Sequence, residues 1–182
     1  MYGRIPEAPR RKLLGALTAA VNPVMRQKAE LEEGEGLRRL LPILADLPEH
    51  VAVIMQPALG FFMKVDCCIV APGRILVVQT MHWKGKILPG KDQEWLGAGT
   101  VDLGRPDRRA AQLADRLEYS GHAAGFQVEP VVIFTDGPVD FQGPEPLALL
   151  VPWDDVPNFF REILPEGSLS DVAPLVALLG ER

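Results

Sequence analysis

Apolar residues fall along this chain in two kinds of run. Val51 to Gln56, Val65 to Val70, Ile75 to Val78, Val131 to Phe134 and Leu147 to Val151 are short and rich in branched side chains. Proline, glycine or aspartate punctuates most of them, so they predict strands buried on at least one face. Other apolar residues recur at helical spacing. Leu37, Leu40 and Leu41, extended by Leu44, mark the buried stripe of a helix from Pro23 to about Leu41, with Pro42 as its end or a kink. Ala110, Leu113, Ala114 and Leu117 mark a second, started by Pro106. Further helices are expected from Arg10 to Val21, from an Asp154-Asp155 cap to about Leu164, and from Ser170 to Gly180.

The stretch from Lys64 to Ile87, KVDCCIVAPGRILVVQTMHWKGKI, organises the rest. Pro72-Gly73 suits a tight reversal between two strands, since proline presets φ and glycine accepts a positive one. Period-two alternation then puts Val77, Gln79 and Met81 on one face and Leu76, Val78 and Thr80 on the other. Asp66 is the only charge in the first apolar run, and a buried carboxylate needs a cation, a metal or a set of donors beside it.

The element order, helix, strands, helix, strand, strand and helix, predicts an α/β (α+β) domain with a mixed central sheet of about five strands flanked by helices. Residues 1–22 read as a basic helical extension and 23–182 as a single domain. The length of 182 residues allows one sizeable core.

Asp66 before an apolar strand, a Pro-Gly turn, a second apolar strand and then Trp83-Lys84-Gly85-Lys86-Ile87 resemble the nuclease-related domain family. That resemblance implies the restriction-endonuclease-like, PD-(D/E)xK fold. It extends upstream to Gly34-Glu35 and downstream to Trp95, the Arg105-Pro106 helix start and the strand at Val131, covering roughly Glu30 to Phe160. In the family the second strand ends in Glu-x-Lys, the glutamate binding Mg²⁺ together with the aspartate and the lysine serving the attacking water. Those two positions fall on Gln79 and Met81 here. Glutamine is a weaker ligand for a hard cation, and methionine can neither donate a hydrogen bond nor carry charge to a phosphate oxygen. A further family glutamine falls on Arg109. The resemblance therefore implies a nuclease scaffold with degenerate catalysis, binding nucleic acid or a protein partner without cutting. An active Mg²⁺-dependent DNA endonuclease stays open as an alternative. It would take its charge from Lys64, Lys84 or Lys86 and hold metal on Asp66, Gln79 and either Glu33 or Glu35. A third reading is a purely structural or interaction domain. Glu35 matches the family's letters, because it follows glycine; Glu33 matches the helical stripe.

Other candidates stand beside that motif. Trp83 with Lys84, Lys86 and Lys91 suits single-stranded nucleic acid, or equally a tryptophan covering a sheet edge with lysines in water. Arg105, Arg108 and Arg109 crowd a helix amino terminus, where positive charge opposes the dipole. They suit a docked anion, or carboxylates of the same chain; Arg109 beside Asp66 would replace the metal by a salt bridge. Phe61 and Phe62 suit core packing, a substrate groove or contact with a second copy of the chain. His82 has no second His or Cys at ligand spacing.

Composition changes this picture modestly. Hydrophobic residues are 47% and charged ones 24%, ordinary for a globular protein, and the net charge of -5 lowers the expectation of broad attraction to nucleic acid. Cys67 and Cys68 are the two cysteines, adjacent on a strand and pointing to opposite faces, which excludes a disulfide framework. No apolar run is long enough to span a membrane and no signal-peptide core is present, so a soluble cytoplasmic protein is expected.

Overall fold

A computed structural model describes residues 28–57, 65–121 and 123–167, with the backbone alone for 28–33. The expected helices at 10–21 and 170–180, together with Phe61, Phe62 and Lys64, lie outside the described residues.

Two apolar strands and a proline-glycine turn form the centre, as the pattern requires. β2 (Cys67–Ala71) and β3 (Arg74–Met81) pair antiparallel around Pro72-Gly73, with Ala71 opposite Arg74. Gly73 takes φ +69°, a left-handed value that a side chain would strain. β1 (Ala52–Met55) adds antiparallel to β2. On the other side, β7 (Gln127–Phe134) runs parallel to β3 over its whole length, and β9 (Leu149–Val151) runs parallel to β7. The five-stranded order β1-β2-β3-β7-β9 makes a mixed sheet.

Helices cover both faces. α1 (Lys28–Ala45) lays Leu40 and Leu44 against Cys67, Ile69, Leu76, Val78, Val131 and Ile133. α2 (Pro106–Tyr119) lays Ala110, Leu113, Ala114 and Leu117 against Cys68, Val70, Ile75 and Val77. α3 (Val156–Ile163) follows a short 3-10 turn (Trp153–Asp155) and buries Val156 and Phe160 beneath α1's side of the sheet. The two cysteines point to opposite faces, fully buried.

Several boundaries differ from expectation. α1 does not end at Pro42 but runs through it to Ala45; the solvent-exposed proline removes one backbone donor without breaking the packed stripe. The last strand starts at Leu149 rather than Leu147, because the Leu147 amide is drawn away to the Asp107 carboxylate, 3.0 Å. The stretch from Gly90 to Gly99, which carries no strand-like apolar run, contains a strand. β5 (Trp95–Gly97) pairs with β4 (Gly85–Pro89) and β6 (Val101–Asp102), and β8 (Val139–Phe141) completes a second sheet in the order β6-β5-β4-β8. Its core is Trp95, fully buried, edge-on to Phe141 (centroids 4.9 Å apart) and packed with Ile87, Val132 and Phe134. Phe134 and Val132 belong to β7, so this sheet caps the carboxyl half of the main one.

A buried ion pair ties these layers together. Asp107, fully buried in the first turn of α2, accepts from Arg105 Nε and Nη2 at 2.7 and 2.6 Å and from the Leu147 amide. Arg105 also donates to the Gln93 carbonyl, 2.7 Å, and lies 6.0 Å from the Trp95 ring centroid. Burial pushes the Asp107 carboxyl up, but the Arg105 hydrogen bonds, the Leu147 and Arg108 amides and the Arg105 charge outweigh it and hold the carboxyl below its ordinary range. The same bonds raise the Arg105 guanidinium above its own.

Candidate functional site

The carboxyl ends of parallel strands are where open α/β sheets gather polar groups. β3 and β7 end side by side here, with Met81 opposite Phe134. Asp66, one residue before β2, joins them because its amide donates to the Val78 carbonyl, 3.1 Å.

One oxygen of Asp66 collects three donors. Its Oδ2 accepts from the Thr80 amide at 2.6 Å, the Thr80 hydroxyl at 2.6 Å and Gln79 Nε2 at 3.0 Å. Short contacts of this kind are charge-assisted and supply what a half-buried carboxylate requires. Gln79 is 3% exposed, and its Oε1 has no hydrogen-bond partner among the described residues. Turning the amide over would place that oxygen against the carboxylate, so donation by the nitrogen fixes the orientation.

Met81 packs against the Trp95 and Phe134 cluster, in apolar surroundings rather than beside Asp66's donors. The described donors do not fit a divalent cation. They amount to one carboxylate, whose Oδ2 is already taken up by three donors, and an amide that offers it nitrogen. Among the described residues no group of three or more His, Cys, Asp or Glu side chains could hold a metal ion.

The helix glutamates divide. Glu35 forms a surface pair with Arg38, 3.4 Å. Glu33 lies in α1, its side chain outside the described residues. Gly36 faces the sheet, and its backbone approaches so closely that a Cβ would sit 2.8 Å from Thr80 Oγ1 and 3.1 Å from Thr135 Oγ1. Only glycine admits this approach, which presses α1 onto the two threonines.

Whereas Arg38 pairs with Glu35 at the surface, Arg39 turns to the sheet and donates to the Thr135 carbonyl, 2.8 Å. Thr135 is fully buried; its hydroxyl meets His82 Nδ1 at 3.3 Å and its amide donates to the Met81 carbonyl. Next in the chain, Asp136 faces Arg39 at 3.7 Å, His82 at 3.8 Å and Lys84 at 3.6 Å. A continuous polar edge thus runs from Asp66 through Thr80, Thr135 and His82 to Asp136.

The remaining candidates are scattered. Trp83 stacks over Gly97, where a Cβ would lie 2.3 Å from the ring, and its Nε1 is buried. Lys86 is exposed on β4. Arg105 is taken up by Asp107. Arg108 and Arg109 are exposed on the first turn of α2, with Arg109 Nη2 extended back towards Gly104.

Fold and polar edge together define a mixed α/β domain of nuclease-like build. The family model described as a nuclease-related domain matches residues 32–135, more than half of the chain, from within α1 to the end of β7. The chain belongs to that family. No curated protein and no solved structure matches it. Among the described residues no helix is long and apolar enough to cross a membrane.

Sequence reasoning picked out Asp66 but missed its chief partner. Thr80 sat in the alternating pattern, one residue from the position under scrutiny. Arg39, inside α1, and Thr135 and Asp136, just past β7, carried no signal beyond being polar.

Proposed function

We propose that this nuclease-related domain is catalytically degenerate and works by binding nucleic acid or a protein partner without cutting. The observation that supports this reading is the hydrogen bond from Gln79 Nε2 to Asp66. It supplies internally the compensation that the resemblance assigns to Mg²⁺ and a glutamate. Met81, in its apolar cluster, has no group that could activate water or stabilise a phosphorane. On this reading Asp66 is a structural anchor for the end of β3, and the residues around it serve recognition.

The test is calorimetric titration of Mg²⁺ and Mn²⁺ into the wild-type protein and Asp66→Ala, with a plasmid-nicking assay on the same samples. The wild type is expected to give no saturable heat and no nicking. Saturable binding and nicking that both vanish in Asp66→Ala would overturn degeneracy and leave an active nuclease with a displaced lysine. The double variant Gln79→Glu/Met81→Lys restores both missing groups, and gain of metal binding there would trace the loss to those two positions.

A further inference from the structure

Arg39, His82 and Lys84 come from two separate parts of the chain and converge on one carboxylate, Asp136, at 3.7, 3.8 and 3.6 Å. All three distances exceed those of a charge-assisted hydrogen bond, roughly 2.7–2.9 Å. Two permanent cations and an imidazole therefore surround a single negative charge without closing on it. The surplus is positive in a chain whose net charge is -5.

The backbone holds the cluster in place. Arg39 is anchored by the Thr135 carbonyl and His82 by the Thr135 hydroxyl. Gly85 donates to the Pro138 carbonyl at 2.8 Å, and the stem of Lys84 lies against Gly137. The charged ends remain open to water: Lys84 is 68% exposed and Arg39 43%. Fixed stems with free donors are what an anion site needs, because little side-chain entropy is lost on binding.

We propose that Arg39, His82 and Lys84 form a docking site for a backbone phosphate of a nucleic-acid strand, with Asp136 as an internal competitor that keeps the site weak. This inference rests on the nucleic-acid-binding side of the reading above and deepens it. The site lies at the carboxyl ends of β3 and β7, on the same polar edge as Asp66, so a strand held there passes the degenerate centre. A phosphodiester presents two non-bridging oxygens with one shared charge, which suits several donors spread around a point better than one lone cation would.

The experiment is fluorescence anisotropy of a labelled oligodeoxynucleotide, single-stranded and duplex, titrated at several salt concentrations. Wild type should bind, and Lys84→Ala and Arg39→Ala should each weaken binding about fivefold at low salt while lowering the salt slope by about 0.7 on the single strand. Lys84→Glu, at an exposed position that folding does not depend on, should weaken it by more than about tenfold. Asp136→Asn has the opposite expected sign: removing the competitor tightens binding several-fold. An internal ion network with no ligand would give no tightening in Asp136→Asn and no change in Lys84→Glu, and that result overturns the proposal. Absence of wild-type binding to either oligonucleotide also overturns it. So does selective binding of an acidic peptide, such as polyglutamate, with the same mutational pattern, since the partner is then a protein. Inorganic phosphate serves as a third probe: phosphate binding without oligonucleotide binding removes nucleic acid as the source. Degeneracy is judged separately, by nicking in wild type and Asp66→Ala, so either reading can fail alone.

Discussion

Replacing Gly36 by alanine sets two forces against each other. Alanine in a helix interior is favoured over glycine by about 1 kcal/mol, so propensity alone expects a more stable protein. The new methyl would sit 2.8 Å from Thr80 Oγ1, 3.1 Å from Thr80 Cβ and 3.1 Å from Thr135 Oγ1. Neither threonine can swing aside cheaply. Both are buried and branched at Cβ, and the Thr80 hydroxyl is committed to Asp66 at 2.6 Å. Forcing a methyl into such a gap costs about 1–3 kcal/mol, and displacing a hydroxyl from a carboxylate about 1.5–3 more if the bond is lost. The balance is a net loss of about 0–2 kcal/mol if the bond survives and about 1.5–5 kcal/mol if it is lost, read as a fall in Tm of about 2–4 °C for each kcal/mol in a chain of this size. Urea unfolding of Gly36→Ala, Thr80→Ala and the double variant isolates the contact. With the hydroxyl gone, the cost of Gly36→Ala should shrink by at least about 1 kcal/mol. A stabilised Gly36→Ala, or a cost unchanged in the Thr80→Ala background, would refute the argument that close approach dictates glycine there.

Other expectations follow from the same geometry. Asp107→Ala leaves Arg105 buried without its partner and should cost about 3–5 kcal/mol in denaturant unfolding. Because the folded Asp107 carboxyl titrates below its ordinary 3.8, the unfolded chain binds more protons in that window. Its contribution is thus present above the ordinary value and lost as pH falls through the folded one, and Asp107→Asn should flatten this acid limb. Gln79→Glu places a second carboxylate about where an amide nitrogen now lies 3.0 Å from Asp66. The coupled pair should titrate above the usual carboxylate range, so this variant loses stability as pH rises through that value, and added Mg²⁺ should restore it. Gly97→Ala drives a methyl into the Trp83 ring and should shift tryptophan fluorescence along with a loss of Tm. Burial raises both thiols, Cys68 to about 12, so Ellman's reagent should react with neither cysteine until the protein unfolds.

The main sheet was legible because its strands are continuous apolar runs around an unambiguous turn, and a buried parallel sheet writes itself that way. The second sheet was not. Its strands hold two to five residues, carry glycine and lysine, and bury little besides Ile87 and Trp95, so neither period stands out. Asp66 announced itself as a lone charge in an apolar run, whereas Thr80 did not, since a hydroxyl in a strand is unremarkable. Arg105 read as surplus charge at a helix start because the sequence does not reveal that Asp107, two residues on, is fully buried and turned back to meet it. In the sequence, nothing distinguishes Arg39 from the adjacent Arg38. Which of two adjacent arginines faces the sheet depends on how close Gly36 lets the helix come, a tertiary fact with no local trace.

The two halves of the polar edge are separated by very different lengths of chain. Asp66 and Thr80 stand 14 positions apart across one hairpin, whereas Arg39 reaches Thr135 over 96. Short loops close fast and long ones slowly, and parallel pairing is slower still. During synthesis the Asp66 end can therefore take shape while β7 is still unmade, and the cluster around Asp136 cannot exist until it docks. Any surface made by Arg39, His82 and Lys84 thus becomes available only to a chain that has finished folding through β7. If a strand docks there as proposed, its recognition would be a readout of maturity as much as of sequence.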